Sequence, residues 1–442
     1  MKRGFMVVAL LIGRAASALA APPGIETSTL ANGLEVVLAP DSGARAADVA
    51  VWYRTGPRVE EPGRSGITHL FERLMFRGTE SRGPGEYRRL LQAEGGVVNT
   101  YTTADFTSFF ATVPEQAVDL ALKLESERMA KLKLSAADLA EERAAVARER
   151  RAFLETNPLG RGVEKLYATA FPGHGYGSPV IGLEDDVRRI ALDQALEYYR
   201  DRYGPNNAVV TVVGRFDKAA ALASIRSYFE PLPRRGAAAK PAPLPAPRPR
   251  GTASSPGRFP LVLVGWRAPA SADPGTPALE ILARVLGSGS EGRLERPDSG
   301  AVAQARAAFD PARDASLFYA LAVLKTPADS TAAQRMLTGA IGKLASEPVT
   351  AGELDRAKRE WELDMLAGQQ TARGRARALG TALLVDGDAG STARRLQAVR
   401  DLTPVDLEAA ARKVFRPESR SVVLIMPAPG PPRPGAASKG AR

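Results

Sequence analysis

Three polar residues share one predicted helix face in the stretch SGITHLFERLMFRGTE, residues 65–80: His69, Glu72 and Arg73. Positions i, i+3 and i+4 of a helix lie on the same side, so these side chains can meet. A zinc peptidase of the H-x-x-E-H type presents two histidine ligands and a glutamate in this way. Here arginine replaces the second histidine, and because a guanidinium stays protonated it cannot bind zinc. The degenerate motif H-x-x-E-R retains one metal ligand, His69, and the candidate catalytic base, Glu72.

A second predicted helix, LAEERAAVARERRAFLE, carries two carboxylates at a spacing of two helical turns, Glu142 and Glu149. These residues therefore share a face. In a zinc site built on two helices, Glu149 would be a metal ligand and Glu142 would orient a ligand from behind. Glu72 would stay off the metal and activate its bound water. With His69, this leaves two ligands, whereas a catalytic zinc site usually has three.

Arg73 has two possible roles. Without a metal, Glu72, Glu142 and Glu149 would crowd together uncompensated, which costs several kcal/mol where they are buried. Arg73 could stand among them as a charge substitute and form charge-assisted hydrogen bonds. The alternative is that Arg73 points to solvent and pairs with nothing. Its place on the face of His69 and Glu72 favours the first interpretation and predicts an ion pair with Glu142 or Glu149.

Four features, in order and at matching spacing, resemble the insulinase/pitrilysin/mitochondrial-processing-peptidase family of inverzincin metallopeptidases, and most closely its two-chain bacterial branch. They are the segment GITHLFERLMFRGT, the segment GGVVNTYTTADFT, the segment FPGHGYGSPVIG, and Glu149, which follows Arg73 at the spacing that the family has between its second histidine and its glutamate ligand. The resemblance covers nearly the whole chain. It implies a zinc-dependent peptidase architecture in which Asn99, in the GGVVNT segment, contacts the substrate.

The resemblance also exposes departures from active relatives. Such relatives, or their partner chain, hold the substrate backbone with an arginine and a later tyrosine. Arg296 matches the arginine as a substrate-binding residue, but the residue seven positions later is Ala303, so the phenol is absent. The alternative interpretation of this segment is an ordinary surface loop. His174 lies in a loop that does not bind metal in the family, which argues against it as a replacement ligand.

These residues predict a catalytically impaired subunit, a pseudo-peptidase, that binds peptide or protein substrates and pairs with an active homologous chain as a heterodimer. Zinc, implied by the resemblance, would bind weakly or not at all. Two alternatives stay open. One is an active zinc endopeptidase with an altered metal site, in which Glu72 remains the general base. The other is a non-proteolytic peptide-binding or assembly module that accepts a peptide by strand addition near residues 99–110.

The composition limits the chemistry and the partners. Cysteine is absent, which excludes disulfides, thiolate zinc sites and cysteine nucleophiles, and the chain has two histidines, His69 and His174. The net charge is +11, but the arginines are dispersed among glutamates on predicted helices. Because no basic motif is interleaved with aromatic residues, we expect a solvated basic surface and no nucleic-acid partner.

The N-terminus predicts export. It has a basic head, an apolar run over residues 5–12 and small residues at 18–20, which is the pattern of a secretory signal peptide. The apolar run is too short to span a bilayer, and no other segment is long and apolar enough. We therefore expect no transmembrane segment and an exported, periplasmic protein.

Two copies of one unit account for the length of the chain. YGPNNAVVTVVG resembles FRPESRSVVLIMP, which aligns Pro205 with Pro417, and LSAADLAEERAAVARE resembles VTAGELDRAKREWELD, which aligns Leu139 with Leu354. We predict an α+β fold with two duplicated domains of like topology, each a β-sheet with helices packed on one face, forming a clamshell. The predicted boundaries are a signal peptide at 1–21, an N-terminal domain carrying the degenerate metal site at 25–232, a Pro-rich linker at 233–257, a C-terminal domain at 258–427 and a disordered tail at 428–442.

The repeat supplies an internal control for the polar helix face. The register that aligns Pro205 with Pro417 places Ile281, Arg284 and Val285 at the positions of His69, Glu72 and Arg73. The second copy would therefore use this helix for packing alone.

Further elements of the first copy follow from local patterns. GLEVVLAP and ADVAVWYRTG predict two strands joined by a turn, and DFTSFFATVP predicts a further strand. Helices are predicted at residues 65–76, 85–94, 114–131 and 136–155.

Overall fold

The structure of the protein is a computed structural model that describes residues 24–157, 159–236, 240–246, 251–257, 259–287, 291–294 and 300–427. The signal peptide and the tail predicted at 1–21 and 428–442, and Arg296, lie outside these ranges. No helix within the described ranges is long and apolar enough to cross a membrane.

Each half of the chain contributes one β-sheet and a set of helices. In the first half the strands are β1 (Glu26–Thr29), β2 (Glu35–Pro40), β3 (Ala47–Tyr53), β4 (Val97–Thr102), β5 (Thr107–Val113) and β6 (Ala208–Gly214). The helices of this half are α1 (Ile67–Leu74), α2 (Glu86–Ala93), α3 (Val118–Lys131), α4 (Ala136–Thr156), α5 (Gly160–Ala170), α6 (Glu184–Arg189), α7 (Leu192–Arg202) and α8 (Lys218–Phe229). The four helices predicted from the sequence correspond to α1, α2, α3 and α4.

The second half has a similar but smaller set of elements. Its strands are β7 (Gly251–Gly257), β8 (Leu261–Ala268), β9 (Val302–Asp310), β10 (Ser316–Leu324) and β11 (Ser421–Pro427). Its helices are α9 (Thr276–Gly287), α10 (Ser330–Lys343), α11 (Ala351–Ala367), α12 (Ala372–Thr381), α13 (Ser391–Asp401) and α14 (Pro404–Val414). A π-helical turn, Ala382–Asp386, follows α12 directly.

The first sheet has the strand order β1-β2-β6-β3-β5-β4. Strands β3 and β6 lie inside the sheet, and every residue of both strands is buried, as expected of their Val-rich sequences ADVAVWY and AVVTVVG. The two strands predicted to be joined by a turn, β2 and β3, both form, but β6 pairs between them. Strand β4 is an edge strand, and its edge position matches the predicted strand-addition site.

The second sheet has the order β7-β11-β8-β10-β9, which reproduces the β2-β6-β3-β5-β4 portion of the first. The pairs β2–β6 and β7–β11 are parallel, and all other pairs of the shared unit are antiparallel in both sheets. The prediction of two domains of like topology in an α+β fold is therefore confirmed. The helix equivalent to α1 is α9, in which Ile281 and Val285 are fully buried while Arg284 pairs with Asp364 at 2.8 Å.

The linker predicted at 233–257 is wrong at its C-terminal end. Residues Gly251–Gly257 form β7, which pairs in parallel with β11 and corresponds to β2 of the first half. The sequence GTASSPG has no alternation of apolar residues, so nothing in it predicts a strand. An edge strand needs only backbone hydrogen bonds from one neighbour, and such a position also tolerates proline.

Each sheet is covered on its second face by a helix from the other half. Leu166 of α5, in the first half, packs in one cluster with Leu263 of the second sheet. In return, Ala376 and Leu379 of α12 pack with Trp52 of the first sheet. Helices of the same half cover the remaining face of each sheet. The prediction of helices on one face is thus correct within each half, and this exchange of helices joins the halves.

The backbone of α12 packs directly against the first sheet at Gly380. A Cβ atom at Gly380 would lie 2.5 Å from the indole ring of Trp52. Trp52 is fully buried and its indole N–H donates to Thr211 Oγ1 at 2.9 Å. The ring therefore has no room to move aside, and the position requires glycine.

Candidate active site

Helix α1 starts from a partly buried carboxylate that stands in for an N-terminal cap. Gly66 precedes the helix with a φ of 85° and lies against Gly182, where a side chain would collide. Glu60 accepts hydrogen bonds from the backbone N–H groups of Gly66 and Thr68, both at 2.9 Å. These bonds satisfy N–H groups that the first turn of a helix leaves free. Burial raises the pKa of Glu60 to about 7, against the opposing effect of the two hydrogen bonds.

The apolar side of α1 fixes which way its polar side points. Leu70, Phe71 and Leu74 are fully buried in the core of the first half. Phe71 stacks on Tyr203 with ring centroids 5.0 Å apart. Because this side is anchored in the core, the opposite side, which carries His69, Glu72 and Arg73, faces α4.

His69 lies between two carboxylates. Its Nδ1 atom is 2.8 Å from Glu72 Oε2, and its Nε2 atom is 3.3 Å from Glu149 Oε1 on α4. Burial lowers the pKa of His69, but Glu149 and Glu72 together outweigh that effect and raise it to about 9. The histidine in turn lowers the pKa of Glu149. The position of His69 between two carboxylates therefore favours its imidazolium form.

Arg73 contacts both carboxylates predicted for it. Its Nε atom donates a short hydrogen bond to Glu142, and its Nη1 atom lies 3.9 Å from Glu149 Oε2. Arg77, one turn further on, also donates to Glu142, at 2.6 Å. The prediction of an ion pair is confirmed, and the alternative in which Arg73 pairs with nothing is wrong. Glu142 is buried between two guanidinium groups.

The remaining predicted residues lie elsewhere. Asn99 is exposed on β4, and its side-chain oxygen accepts a hydrogen bond from the N–H of Thr100 at 2.9 Å. Ala303 is exposed on β9. His174 is buried against Tyr176, and its Nε2 atom lies 3.8 Å from Asp314 of the second half. Burial lowers the pKa of His174, which does not join the cluster around His69.

The sequence patterns did not predict a polar junction that joins the two halves. Arg58 donates to Asp314 at 2.5 and 2.9 Å, and Tyr176 donates to Asp105 at 2.5 Å. The backbone N–H of Arg313, from the second half, also donates to Asp105, at 3.1 Å. Asp105 and Tyr176 stand in the segments that carry the family resemblance, so their presence there was the available signal. Nothing in the sequence pointed to their partners near residue 314.

A cavity of about 1040 Å³ opens beside the His69 cluster and is lined by both halves. Its walls include residues of α1, α4, β4, α5, β9 and α12; among them are His69, Glu72, Glu149, Thr100, Tyr101, Phe153, Tyr167, Arg306, Asp310, Leu317 and Arg377. Ligand sites in proteins are concave, mostly apolar and supplied with a few polar groups, and this cavity is at the large end of their size range. It is the place where the candidate catalytic residues meet open space.

Families of known proteins match both halves of the chain. Residues 35–184 match the family described as Insulinase (Peptidase family M16), and residues 189–360 match the one described as Peptidase M16 inactive domain. The chain belongs to the M16 insulinase family. The resemblance found from the His69, Asn99 and His174 segments is thereby confirmed.

Individual relatives cover between about half of this chain and nearly all of it. The zinc protease PqqE of Helicobacter pylori is 28% identical over 431 residues, which cover 95% of this chain and 97% of that protein. A probable mitochondrial-processing peptidase subunit beta of Schizosaccharomyces pombe is 28% identical over 214 residues, covering 48% of this chain and 46% of that protein. The crystal structure of a protease from Helicobacter pylori matches with a TM-score of 0.85 and 28% identity, covering 91% of this chain and 99% of that one.

Zinc is the metal implied by the names of these M16 relatives, but the donor set here does not fit a catalytic zinc ion. His69 and Glu149 offer two donor side chains, and the guanidinium of Arg73 reaches within 3.9 Å of Glu149. A fixed positive charge at that distance repels a cation. Within the described ranges, no group of three or more histidine, aspartate or glutamate side chains is arranged to hold a metal ion.

Proposed function

We propose that this M16 chain is a peptide-binding pseudo-peptidase in which an arginine-carboxylate network takes the place of a catalytic metal. The observation that carries the proposal is the contact of Arg73 with Glu142 and Glu149. Arg73 neutralises carboxylates that would otherwise lie together, and His69, with its raised pKa, neutralises Glu72 and Glu149. The cluster is balanced without zinc, so zinc binding is weak or absent.

Peptide capture is supported by the edge strand beside the cavity. Strand β4 ends the first sheet, and Thr100, Tyr101 and Thr102 of this strand line the cavity. An extended peptide could add to this edge through backbone hydrogen bonds, while its side chains enter the cavity. Asn99 lies on the same strand and is exposed.

A partner chain and an exported location complete the proposal. Ala303 offers no phenol for holding a substrate backbone, so a homologous active chain would supply the missing groups in a heterodimer. The basic head and apolar run of the first residues support export to the periplasm. In this arrangement the chain presents or retains peptides that its partner cleaves.

An active zinc endopeptidase with an altered site is the second candidate function. It is favoured by the contacts of His69 with both Glu72 and Glu149, and by the name zinc protease carried by the relative from Helicobacter pylori. In this candidate Glu72 would be the general base, and the third ligand would come from outside the described cluster.

Zinc content distinguishes the two candidates. We expect the purified wild-type protein, exposed to zinc and dialysed, to retain far less than one ion per chain by elemental analysis. The substitution Arg73→His completes an H-x-x-E-H face with Glu149 already in place, and should raise the content to about one ion per chain. Arg77→His removes the other arginine on Glu142 and serves as the matched control, with no gain expected. Stoichiometric zinc in the wild type would reject the pseudo-peptidase.

A further inference from the structure

Apart from His69, the charged groups that line the cavity fall into two classes. The first is a set of carboxylates, each of which already has a partner: Glu72, Asp105, Glu149, Glu164 and Asp310. Glu72 and Glu149 contact His69, and Glu164 forms a bidentate pair with Arg150 at 3.1 Å for both contacts. Asp105 and Asp310 accept hydrogen bonds from Tyr176 at 2.5 Å and from Tyr167 at 2.7 Å.

The second class consists of two arginines, Arg306 and Arg377, that line the cavity from the second half. Arg306 stands on the edge strand β9 and Arg377 on α12, and both are exposed. Neither guanidinium forms an ion pair or hydrogen bond with any residue that the structure describes. The guanidinium of Arg377 lies 5.6 Å from the centroid of the Tyr101 ring.

The placement of these arginines matters because of what faces them. Tyr101 belongs to β4, the edge strand proposed above to accept a peptide, so Arg377 stands beside that strand. Asp310 is on the same strand as Arg306, but burial raises the pKa of Asp310, with opposing effects from Tyr167 and Arg306. The carboxylate of Asp310 already accepts a hydrogen bond from the hydroxyl of Tyr167 at 2.7 Å. Across the described part of the second-half wall, the cavity presents positive charge that the protein leaves unpaired.

We propose that Arg306 and Arg377 form a carboxylate-binding subsite that selects acidic peptides. This inference rests on the peptide binding proposed above and adds a substrate class to it. Guanidinium groups bind carboxylates through paired, charge-assisted hydrogen bonds, which makes arginine suited to this recognition. The carboxylate belongs either to a Glu or Asp side chain of the peptide or to its C-terminus, and the two sources share one chemistry.

Matched peptides test the subsite with the full chain. The probes are short fluorescent peptides of extended sequence that carry Glu, Gln or Lys at one position, each made with a free C-terminal carboxylate and with a C-terminal amide. Fluorescence anisotropy gives their affinities at low and moderate salt. We expect the Glu peptide to bind most tightly, the Lys peptide least tightly, and the difference to shrink as salt screens the charges. A preference for the free acid over the amide would instead assign the carboxylate to the C-terminus.

Substitutions then assign the effect to the two arginines. Arg306→Gln and Arg377→Gln should each weaken binding of the favoured acidic peptide about threefold, and the double variant about tenfold, because partly exposed ion pairs are worth at most about 1 kcal/mol. Binding of the amidated Gln peptide should stay unchanged. Arg306→Lys and Arg377→Lys should retain part of the preference. Arg226→Gln removes an exposed arginine of α8 outside the cavity and should have no effect.

Two further outcomes separate this inference from the proposed function. If the wild type binds the Glu, Gln and Lys peptides and their amides equally, the subsite is refuted while peptide binding stands. If none of the peptides binds at any salt concentration, peptide binding itself is refuted, and the subsite with it. An acidic preference that survives in the Arg306→Gln/Arg377→Gln double variant would also refute the assignment.

Discussion

The guanidinium of Arg73 on α1 donates to the buried carboxylate of Glu142 on α4, and thereby joins the two helices that carry the candidate active site. Arg77 donates to the other oxygen of the same carboxylate. Breaking one contact to a buried charge leaves that charge partly uncompensated, which destabilises the fold. The network is thus a structural element of the first half as well as a feature of the site.

Arg73→Ala should lower the free energy of unfolding by about 1 kcal/mol, since the arginine is partly exposed and Arg77 still compensates Glu142. Arg73→Ala combined with Arg77→Ala should cost more than the sum of the single variants, because Glu142 then stays buried without a cation. Urea unfolding followed by tryptophan fluorescence measures these changes. Arg89→Ala, which removes an exposed pair with Glu86, is the control and should change stability little. Additive effects of Arg73 and Arg77 would contradict a shared role on Glu142.

The pKa of His69 should lie above that of an ordinary imidazole, and the pKa of His174 should lie below it. In chelator-treated protein, NMR of the ring protons should give His69 a pKa near 9, raised by Glu149 and Glu72 against burial. His174 should show a pKa below the usual range because burial disfavours its charged form. The variants His69→Gln and His174→Gln assign the signals. A pKa of His69 at or below its ordinary value of 6.5 would mean that the two carboxylates do not clamp it.

The same shift makes stability depend on pH. The pKa of His69 is higher in the folded state, about 9, than its ordinary value of 6.5, so the folded state binds the proton more tightly. Its contribution is fully present below pH 6.5 and is lost as the pH rises through 9. The difference in free energy of unfolding between the wild type and His69→Gln should therefore shrink across this window. A difference that grows with pH would have the wrong sign for a clamped imidazolium.

Much of this arrangement could be predicted from the sequence because it depends on local spacing. The i, i+3, i+4 pattern of His69, Glu72 and Arg73, and the two-turn spacing of Glu142 and Glu149, fix helix faces without knowledge of the rest of the chain. The Val-rich β6 indicates a buried strand in the same way. The alignment of the two repeats then carries the topology from one half to the other.

What could not be predicted depends on contacts between distant parts of the chain. The hydrogen bonds of Arg58 with Asp314 join residues 256 positions apart, and no local period encodes them. The exchange of α5 and α12 is equally hidden, because an apolar helix face does not reveal which sheet it covers. Strand β7 was missed since its pairing uses backbone groups alone, and its side chains carry no strand pattern.

Two glycine substitutions should have opposite effects, because one glycine lies where α12 packs on the first sheet and the other lies in open space. Gly380→Ala should destabilise the protein by about 1–3 kcal/mol, since the added Cβ meets the immobile ring of Trp52. Gly339→Ala, at an exposed position within α10 where nothing lies within 4 Å, should stabilise it by about 0.5–1 kcal/mol through helix propensity. Thermal unfolding compares the two. Stabilisation by Gly380→Ala would mean that α12 does not pack tightly on the first sheet.

Restoring the second histidine should also reveal whether Glu72 is still placed to act as a base. Zinc-loaded Arg73→His is expected to show weak peptide hydrolysis that a chelator abolishes, measured by mass spectrometry of a quenched peptide. Adding Glu72→Gln should lower this activity by about 100-fold or more, because a positioned general base contributes about that much. In the wild-type background Glu72→Gln should leave peptide hydrolysis unchanged, since we expect no zinc there. Adding Ala303→Tyr to Arg73→His should raise turnover if the missing phenol limits it.

The outcome that would overturn this account is chelator-sensitive hydrolysis by the unmodified chain. Such activity would require a third ligand from outside the pair of His69 and Glu149. His174 is the remaining histidine, yet it is buried against Tyr176 and lies 3.8 Å from Asp314. His174→Ala would then be the first variant to assay. Loss of zinc in that variant, with the fold intact by circular dichroism, would show that the junction between the halves rearranges to complete the site.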